Sequence, residues 1–289
     1  MIIKRAKMDA VNAKTKAFWS GAGGEFWVEN QNDLDATLKP LGEAAMRKIH
    51  LPVCRSVLDI GCGTGRTTLD IVKQLTHGGK AYGLDISEPM LEKARMLAHK
   101  EQVSDVEFSC TDVQVDVLAD TKFDAAFSRF GVMFFDDSIQ AFSNIYSTLM
   151  PNAVFSFVCW QAPSLNPWHA EAIAIVNEFI ELPRPPDRSP GPFAFQDRDY
   201  IQHILTASGF NRISIVPLHA SLRWFQGKDP YQAATRYVSI NPVISQGIAA
   251  LDQGRKVDVT KKLTDLFLSR REGDAMVFDS ATWVVSALS

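Results

Sequence analysis

Val57-Leu58-Asp59-Ile60-Gly61-Cys62-Gly63-Thr64-Gly65 is the stretch on which the chain is organised. It reads as a buried strand running into a glycine turn and then a helix. The apolar β-formers before the turn predict a central, parallel strand. Glycines in such a turn permit a tight reversal, close approach of backbone to a ligand and close helix–strand packing. Asp59 sets a carboxylate beside the turn, and Thr64 is expected to cap the next helix, whose N-terminal dipole faces the same place. A dinucleotide fingerprint of the Gly-x-Gly-x-x-Gly type would need a third glycine at position 66, where Arg66 stands.

The pattern is instead Asp-x-Gly-x-Gly-x-Gly. In that form it resembles the cofactor loop of class I S-adenosylmethionine (SAM)-dependent methyltransferases. Two other readings stay open at this point: an ordinary glycine turn of an α/β protein, and an oxidoreductase binding a dinucleotide, against which Arg66 argues. The resemblance implies SAM as cofactor and a doubly wound, Rossmann-like seven-stranded sheet of order 3-2-1-4-5-7-6, with the last strand antiparallel. It also implies one methyltransferase domain over 1–289. That domain divides into a helical N-terminal lid (1–50), a SAM-binding core (51–160) and a helical insertion over the active site (222–273).

Further along the chain, Ala81-Tyr82-Gly83-Leu84-Asp85-Ile86 reads as the second strand. Asp85 comes twenty positions after Gly65, close to where an acidic residue meets a ribose in such folds. A strand-end cap is the alternative. Ser87 should cap the following helix, whose apolar stripe is Met90, Leu91, Ala94, Leu97 and Ala98. Met90 lies in the first turn, within reach of both core and cofactor. A third strand over 105–110 leads to Asp112 and Val113. By resemblance, Asp112 accepts from the adenine amino group and the Val113 N–H donates to a ring nitrogen. Asp59, Asp85 and Asp112 thus end successive strands, where open parallel sheets bind ligands. The expected cofactor set is Asp59, Gly61, Gly63, Gly65, Asp85, Ile86, Met90, Asp112, Val113 and Ser128.

The fourth strand, Phe123–Ser128, runs into Arg129-Phe130-Gly131-Val132-Met133-Phe134-Phe135. This loop lies across the switch point from the first strand and should face the reacting methyl. It resembles the corresponding stretch of the ubiquinone/menaquinone-methylase-like (type 11) small-molecule branch. Phe130, Met133 and Phe134 would line a dry, adaptable acceptor pocket, unless the segment is plain core. Asp136-Asp137 should cap a helix over 138–149, and Val154–Cys159 reads as the fifth strand. Trp160, Asn166, Pro167, Trp168 and His169 follow as a polar-aromatic cluster, from which Trp160 and Trp168 join the acceptor set.

Upstream, residues 9–30 hold Phe18, Trp19, Phe26 and Trp27 around a glycine-rich turn, so Trp19 is a further acceptor-side candidate on a possible lid. Simple docking onto the core is the alternative. A helix is expected over 33–49, with Asp33 as cap and Leu34, Leu38, Leu41, Ala45 and Ile49 on one face. Downstream, a helix runs to about 180, and a proline-rich loop spans 183–192. A helix over 197–208, a strand over 212–218 and mainly helical chain over 229–272 follow. A last strand lies within 276–287.

A net charge of −3 over 289 residues gives no general pull toward nucleic acid. The cysteines at 54, 62, 110 and 159 have no paired metal spacing, so no metal is expected; three of them fall in or beside expected strands and read as small buried apolar groups suited to a reducing cytoplasm. No signal peptide or membrane-spanning run is expected. Among six histidines, His50, His77 and His99 read as solvated, His203 lacks a second ligand, and His219 is a weaker base candidate than His169. A packing role for His169 stays open, as do acceptor-binding or structural roles for Arg129 and Arg236. No residue is assigned as catalytic, and no oligomeric state is indicated. The expectation is methyl transfer by in-line displacement to a small, partly apolar acceptor, through proximity and desolvation. The alternatives are a macromolecular acceptor and a non-catalytic SAM-binding module. The chain lacks the Asn-Asp-x-Met-Ser start of authentic quinone C-methylases, so the resemblance does not extend to a quinone.

Overall fold

A computed structural model describes residues 12–76, 78–116, 118, 122–183 and 186–289. His77 and the expected helical start at 9–11 lie outside the described residues. Among the described residues three helices come first, α1 (Ala13–Trp19), α2 (Ala22–Glu29) and α3 (Gln31–Met46). Alternation then follows: β1 (Ser56–Ile60), α4 (Arg66–Val72), β2 (Lys80–Asp85), α5 (Glu88–Lys100), β3 (Val106–Cys110), β4 (Phe123–Arg129), α6 (Ser138–Thr148) and β5 (Leu149–Trp160). The remainder is α7 (Pro167–Asn177), α8 (Arg198–Ala207), β6 (Asn211–Trp224), α9 (Pro230–Ile240), α10 (Pro242–Ala249), α11 (Gln253–Ser269), β7 (Arg271–Glu272) and β8 (Ala275–Leu288).

The sheet order is β3-β2-β1-β4-β5-β8-β6, with the two-residue β7 paired to β8. Strands β1 to β5 are parallel, whereas β8 runs antiparallel between β5 and β6. Counting β8 as the seventh long strand, this is the predicted order 3-2-1-4-5-7-6. The central strands are apolar on both faces because helices cover both: Val57, Leu58 and Ile60 of β1 and Ala125–Phe127 of β4 are all buried. Under β5, Phe142 makes edge contacts with Phe155, Phe157 and Phe195, an aromatic knot that fills the sheet–helix gap.

Several local expectations shift. Helix α3 begins at Gln31, not Asp33, because α2 continues almost directly into it. Asn30 stands at the joint, its side-chain amide donating to the Phe26 carbonyl, and Asp33 falls in the first turn. The predicted stripe is retained, with Leu34, Leu38, Leu41 and Ala45 buried. Helix α4 is seven residues long. Its N-cap position is Gly65, not Thr64, because the chain enters the helix through a left-handed residue (φ +83°). Thr64 instead offers its carbonyl to Gln31 Nε2 at 3.2 Å. Strand β6 extends to Trp224, so the intervening helices are α9 to α11, between 230 and 269. Cys110 is exposed, whereas Cys54, Cys62 and Cys159 are buried.

Ion pairs and hydrogen bonds fix the added helices to the sheet. Arg270 pairs with Glu171 and Lys262 with Glu178, joining α11 to α7 and its C-terminal end. Thr37 Oγ1 of α3 donates to the Arg223 carbonyl of β6 at 2.7 Å. The Arg129 guanidinium at the end of β4 meets Asp35 of α3 at 2.5 Å, both side chains almost fully buried. Gly42 makes room for this arginine: a Cβ there would lie 2.9 Å from Arg129 Cδ. Among the described residues no helix is long and apolar enough to cross a membrane.

Candidate active site

The carboxyl ends of β1, β2 and β4 open onto one cavity of about 400 Å³, roofed by α1, α2 and α9. Its two ends differ in chemistry. One is walled by Gly61, Gly63, Asp85, Met90, Asp112 and Val113. The other is walled mainly by aromatic side chains, among them Phe130, Trp160, Trp168, Trp224 and Tyr237.

The first end is a backbone construction. The Gly61 and Cys62 N–H groups donate to the Leu84 carbonyl, folding the loop back onto β2. Gly61 has φ +64°, and a Cβ there would fall 2.7 Å from Gly131 Cα, so the loops after β1 and β4 meet backbone to backbone. At Gly65 a Cβ would stand 2.6 Å from that of Ala94, which lets α4 pack closely on α5. The Gly63 N–H donates to Asp85 Oδ2 at 2.8 Å, and the Ser87 N–H donates to Oδ1 at 2.9 Å. These bonds aim the Asp85 carboxylate along the cavity wall and leave lone pairs on both oxygens. Burial pushes its carboxyl above the usual range, against the lowering effect of those N–H donors.

Asp59 is fully buried behind this wall, not in it. Its Oδ2 accepts from Thr67 and Thr68, both at 2.7 Å, and its Oδ1 has no partner among the described residues. Burial raises its carboxyl to about 6 despite the hydroxyl donors. Asp59 therefore holds α4 to β1 from beneath. Gly65 and Ser128 also stand outside the lining. Ser128 Oγ donates to the Ile60 carbonyl at 2.7 Å and accepts from the Gly131 N–H, fastening the β1 and β4 loops together. Asp59 and Ser128, on the central strands β1 and β4, are fully buried, and Gly65 stands at the N-cap of α4. Ile86, Met90, Asp112 and Val113 line the cavity.

Asn12 closes the Asp112 side. Its Nδ2 donates to both Asp112 oxygens at 3.0 Å, while Asn12 and Asp136 exchange two further bonds of 3.3 Å. The Trp19 carbonyl is held by Ser87 Oγ at 2.7 Å, so the α1–α2 turn is fastened to the same residue that caps α5. Trp19 itself packs edge-on against Phe134, with ring centroids 5.0 Å apart.

The second end is a ladder of rings. Phe130 stacks on Trp160 at 4.4 Å, Trp160 meets Trp168 at 5.0 Å, and Trp168 stacks on Trp224 at 5.0 Å. Phe130 adopts φ +61°, a costly conformation for a bulky residue, with its N–H bonded to the Val158 carbonyl. The aromatic contacts hold it there. His169 packs against Trp168 and Phe193, and burial lowers its imidazole to about 4, so it is neutral near neutral pH. Arg129 reaches the lining but is committed to Asp35, and Arg236 is not in the wall. His50, His99, His203 and His219 are exposed and apart from the cavity.

All six predicted acceptor-side residues, Trp19, Phe130, Met133, Phe134, Trp160 and Trp168, come together in the lining. Sequence reasoning missed Asn12, Trp224, Phe225, Tyr237, Phe267 and Phe278. The adjacent aromatics Trp224-Phe225, just before the turn at Gly227, were the only local signal. No cluster of three or more potential metal ligands occurs among the described residues.

Residues 57–152 match the family model of a methyltransferase domain. The chain is 37% identical over 109 residues to the demethylmenaquinone methyltransferase of Lactiplantibacillus plantarum, across 37% of this chain and 46% of that protein. It is 28% identical over 170 residues to the O-methyltransferase resE of Aspergillus sclerotiorum, across 58% of this chain and 59% of that one. The chain thus spans about half the length of the curated relatives it matches. Among solved structures, the YcgJ protein of Bacillus subtilis aligns with TM-score 0.54 at 17% identity, covering 88% of this chain and 97% of that one. Phosphoethanolamine N-methyltransferase 2 of Haemonchus contortus, solved with S-adenosyl-L-methionine, aligns with TM-score 0.51 at 17% identity, covering 86% of this chain and 52% of that one. At these identities the structural likeness is one of fold.

Proposed function

We propose that this chain, whose residues 57–152 are a methyltransferase domain of the class I, SAM-dependent kind, moves a methyl group to a small, uncharged, largely apolar acceptor. The observation that carries the reading is the joined cavity, in which a glycine loop with a fixed carboxylate opens directly into an aromatic chamber. The residues present fit the cofactor. Asp85 has free lone pairs for a pair of ribose hydroxyls, Asp112 and the Val113 N–H offer an acceptor and a donor to an adenine edge, and Gly61 and Gly63 leave room for close approach. SAM, when bound, supplies a methyl made electrophilic by the adjacent sulfonium.

The protein's part is then to bind, orient and dry. Phe130, Met133 and Phe134 flank the place where acceptor and donor meet, and Trp19, Trp160 and Trp168 enclose it. Alignment of reacting groups can lower a barrier by about 7–11 kcal/mol. No general base is assigned. A neutral His169 can take a proton only from an acceptor that loses one during transfer. A small acceptor is favoured over a macromolecule because α1, α2 and α9 cover the chamber.

Titration calorimetry tests the reading. The wild-type chain should bind SAM, and Asp85→Ala should weaken binding at least tenfold, about 1.4 kcal/mol. Unchanged affinity in the variant would remove the ribose assignment. Firm SAM binding with no transfer to any small-molecule fraction would favour the non-catalytic module.

A further inference from the structure

The chamber wall is almost wholly aromatic and aliphatic, yet two of its polar side chains have no use within the protein. His169 enters from α7 and Tyr237 from α9, and both line the cavity. Neither the His169 ring nitrogens nor the Tyr237 hydroxyl has a hydrogen-bond partner among the described residues. Asn166, two helix positions from Trp168, shows the contrast: its amide makes bonds to Gln161, Ala162 and Ala281. Among the described residues, Asp59 Oδ1 and Trp224 Nε1 are the sealed polar side-chain atoms without a partner; the polar groups of His169 and Tyr237 are not sealed, and both side chains line the cavity. A polar group placed in an apolar wall costs free energy unless something pairs with it. The small number of placed polar groups in such a wall is what orients a ligand.

The two groups read different chemistry. Burial keeps His169 neutral, so one ring nitrogen is a lone-pair acceptor and the other a donor. Tyr237 is held in its protonated form by burial and can donate its O–H. Among the described residues no unpaired cation lines the chamber to hold an ionised acceptor, since Arg129 is bound to Asp35. Phe130, Trp160, Trp168 and Trp224, packed on one another in two stacked pairs, bring aromatic ring surface to the lining, suited to an aromatic ligand.

We infer that the acceptor is a neutral, planar hydroxyarene or enol, that His169 accepts a hydrogen bond from its hydroxyl, and that Tyr237 donates to one of its oxygens. This rests on the SAM-dependent reading above and adds the acceptor class to it. His169 and Tyr237 act here as specificity-determining contacts of the acceptor, and no proton transfer is assigned to either.

Three probes separate the contributions: 2,7-dihydroxynaphthalene, its dimethyl ether and naphthalene. Each is titrated calorimetrically into the full chain saturated with S-adenosylhomocysteine, which cannot transfer a methyl. The diol should bind about tenfold more tightly than the ether, and the ether more tightly than naphthalene, as expected for one net hydrogen bond at each step. His169→Phe should weaken the diol about tenfold and leave the ether unchanged. Tyr237→Phe should weaken diol and ether alike and leave naphthalene unchanged. Equal affinity of the three probes, no binding of any of them, or a ranking indifferent to both substitutions overturns the inference while S-adenosylhomocysteine still binds. Failure of S-adenosylhomocysteine itself to bind overturns the underlying functional reading instead. Retained S-adenosylhomocysteine affinity in both variants shows that they are folded.

Discussion

The two ends of the cavity are built by opposite means. The glycine-loop end comes from one continuous stretch, 57–113, and its shape is set by backbone: three left-handed glycines, two N–H bonds to Asp85 and loops touching at Gly61 and Gly131. The aromatic end draws side chains from α1, the β4 loop, β5, α7, β6 and α9, separated by up to two hundred residues. A loop made of backbone tolerates almost no substitution, because a Cβ has nowhere to go. A wall made of rings tolerates exchange of one ring for another while its volume is kept. The first end can therefore hold one ligand in many proteins, and the second can be refitted to different acceptors.

The sharpest way to break this contrast is at Gly61. Gly61→Val forces a branched side chain into a left-handed backbone 2.7 Å from Gly131 Cα, so the loop must move. Cofactor affinity should fall at least about 100-fold, or about 3 kcal/mol. A ring-for-ring change at the other end, Trp160→Phe, should leave that affinity within about threefold while altering acceptor turnover. Equal losses of cofactor binding in both variants, read by calorimetry, would erase the distinction between the two ends.

Comparable in size, but read in stability, is the buried pair at the end of β4. Arg129 and Asp35 are both nearly fully buried, so Asp35→Ala leaves a buried guanidinium unpaired. Loss of about 3–5 kcal/mol in urea unfolding is expected, and Asp35→Leu combined with Arg129→Met should recover most of it. If the double variant is as unstable as the single one, the pair holds the β4 loop by something other than charge matching.

Acid titration gives a smaller effect with a definite sign. His169 ordinarily titrates near 6.5 and here near 4, so between those values only the unfolded chain takes up the proton. Its contribution lowers stability as pH falls from about 6.5 to 4, by no more than about 3 kcal/mol. Asp59 runs the other way. Its native carboxyl keeps a proton up to about 6, against an ordinary 3.8, so its contribution rises as pH falls through that window. His169→Phe should flatten the acid loss of stability in chemical denaturation between pH 6.5 and 4. A profile parallel to wild type would place the imidazole in solvent.

The contrast also explains what was legible. Asp85 and Asp112 could be found from spacing, since glycine turns and strand ends are local features a few residues wide. The sheet order followed from alternation and from the resemblance. For Asp59 and Ser128, both buried and outside the lining, spacing shows proximity to the loop but not which layer a strand side chain enters. Tyr237 and Phe278 carried no signal, because they belong to the wall only after β8 has inserted beside β5 and α9 has folded over it. The Thr64 cap failed for a local reason: Gly65 takes the N-cap position in a left-handed conformation, where a β-branched neighbour has no geometry to reach α4.

The smallest expected effect lies where the two ends meet under α1. Asn12 occupies both oxygens of Asp112, the carboxylate proposed to receive the adenine amino group, so cofactor entry must compete with the Asn12 amide for the same acceptor. Asn12 also holds Asp136 by two longer bonds, so its displacement from Asp112 need not free α1 altogether. Asn12→Ala removes the competitor and one fastening together. The two losses oppose each other in affinity, each worth about 1 kcal/mol, and add in rate, since the entrance is open longer for both arrival and departure. Equilibrium SAM affinity should therefore change less than threefold, while association and dissociation rates measured by stopped-flow both rise several-fold. A large change in affinity at unchanged dissociation rate would mean that Asn12 contacts the cofactor directly, and α1 would then belong to the cofactor end of the cavity instead of bridging the two.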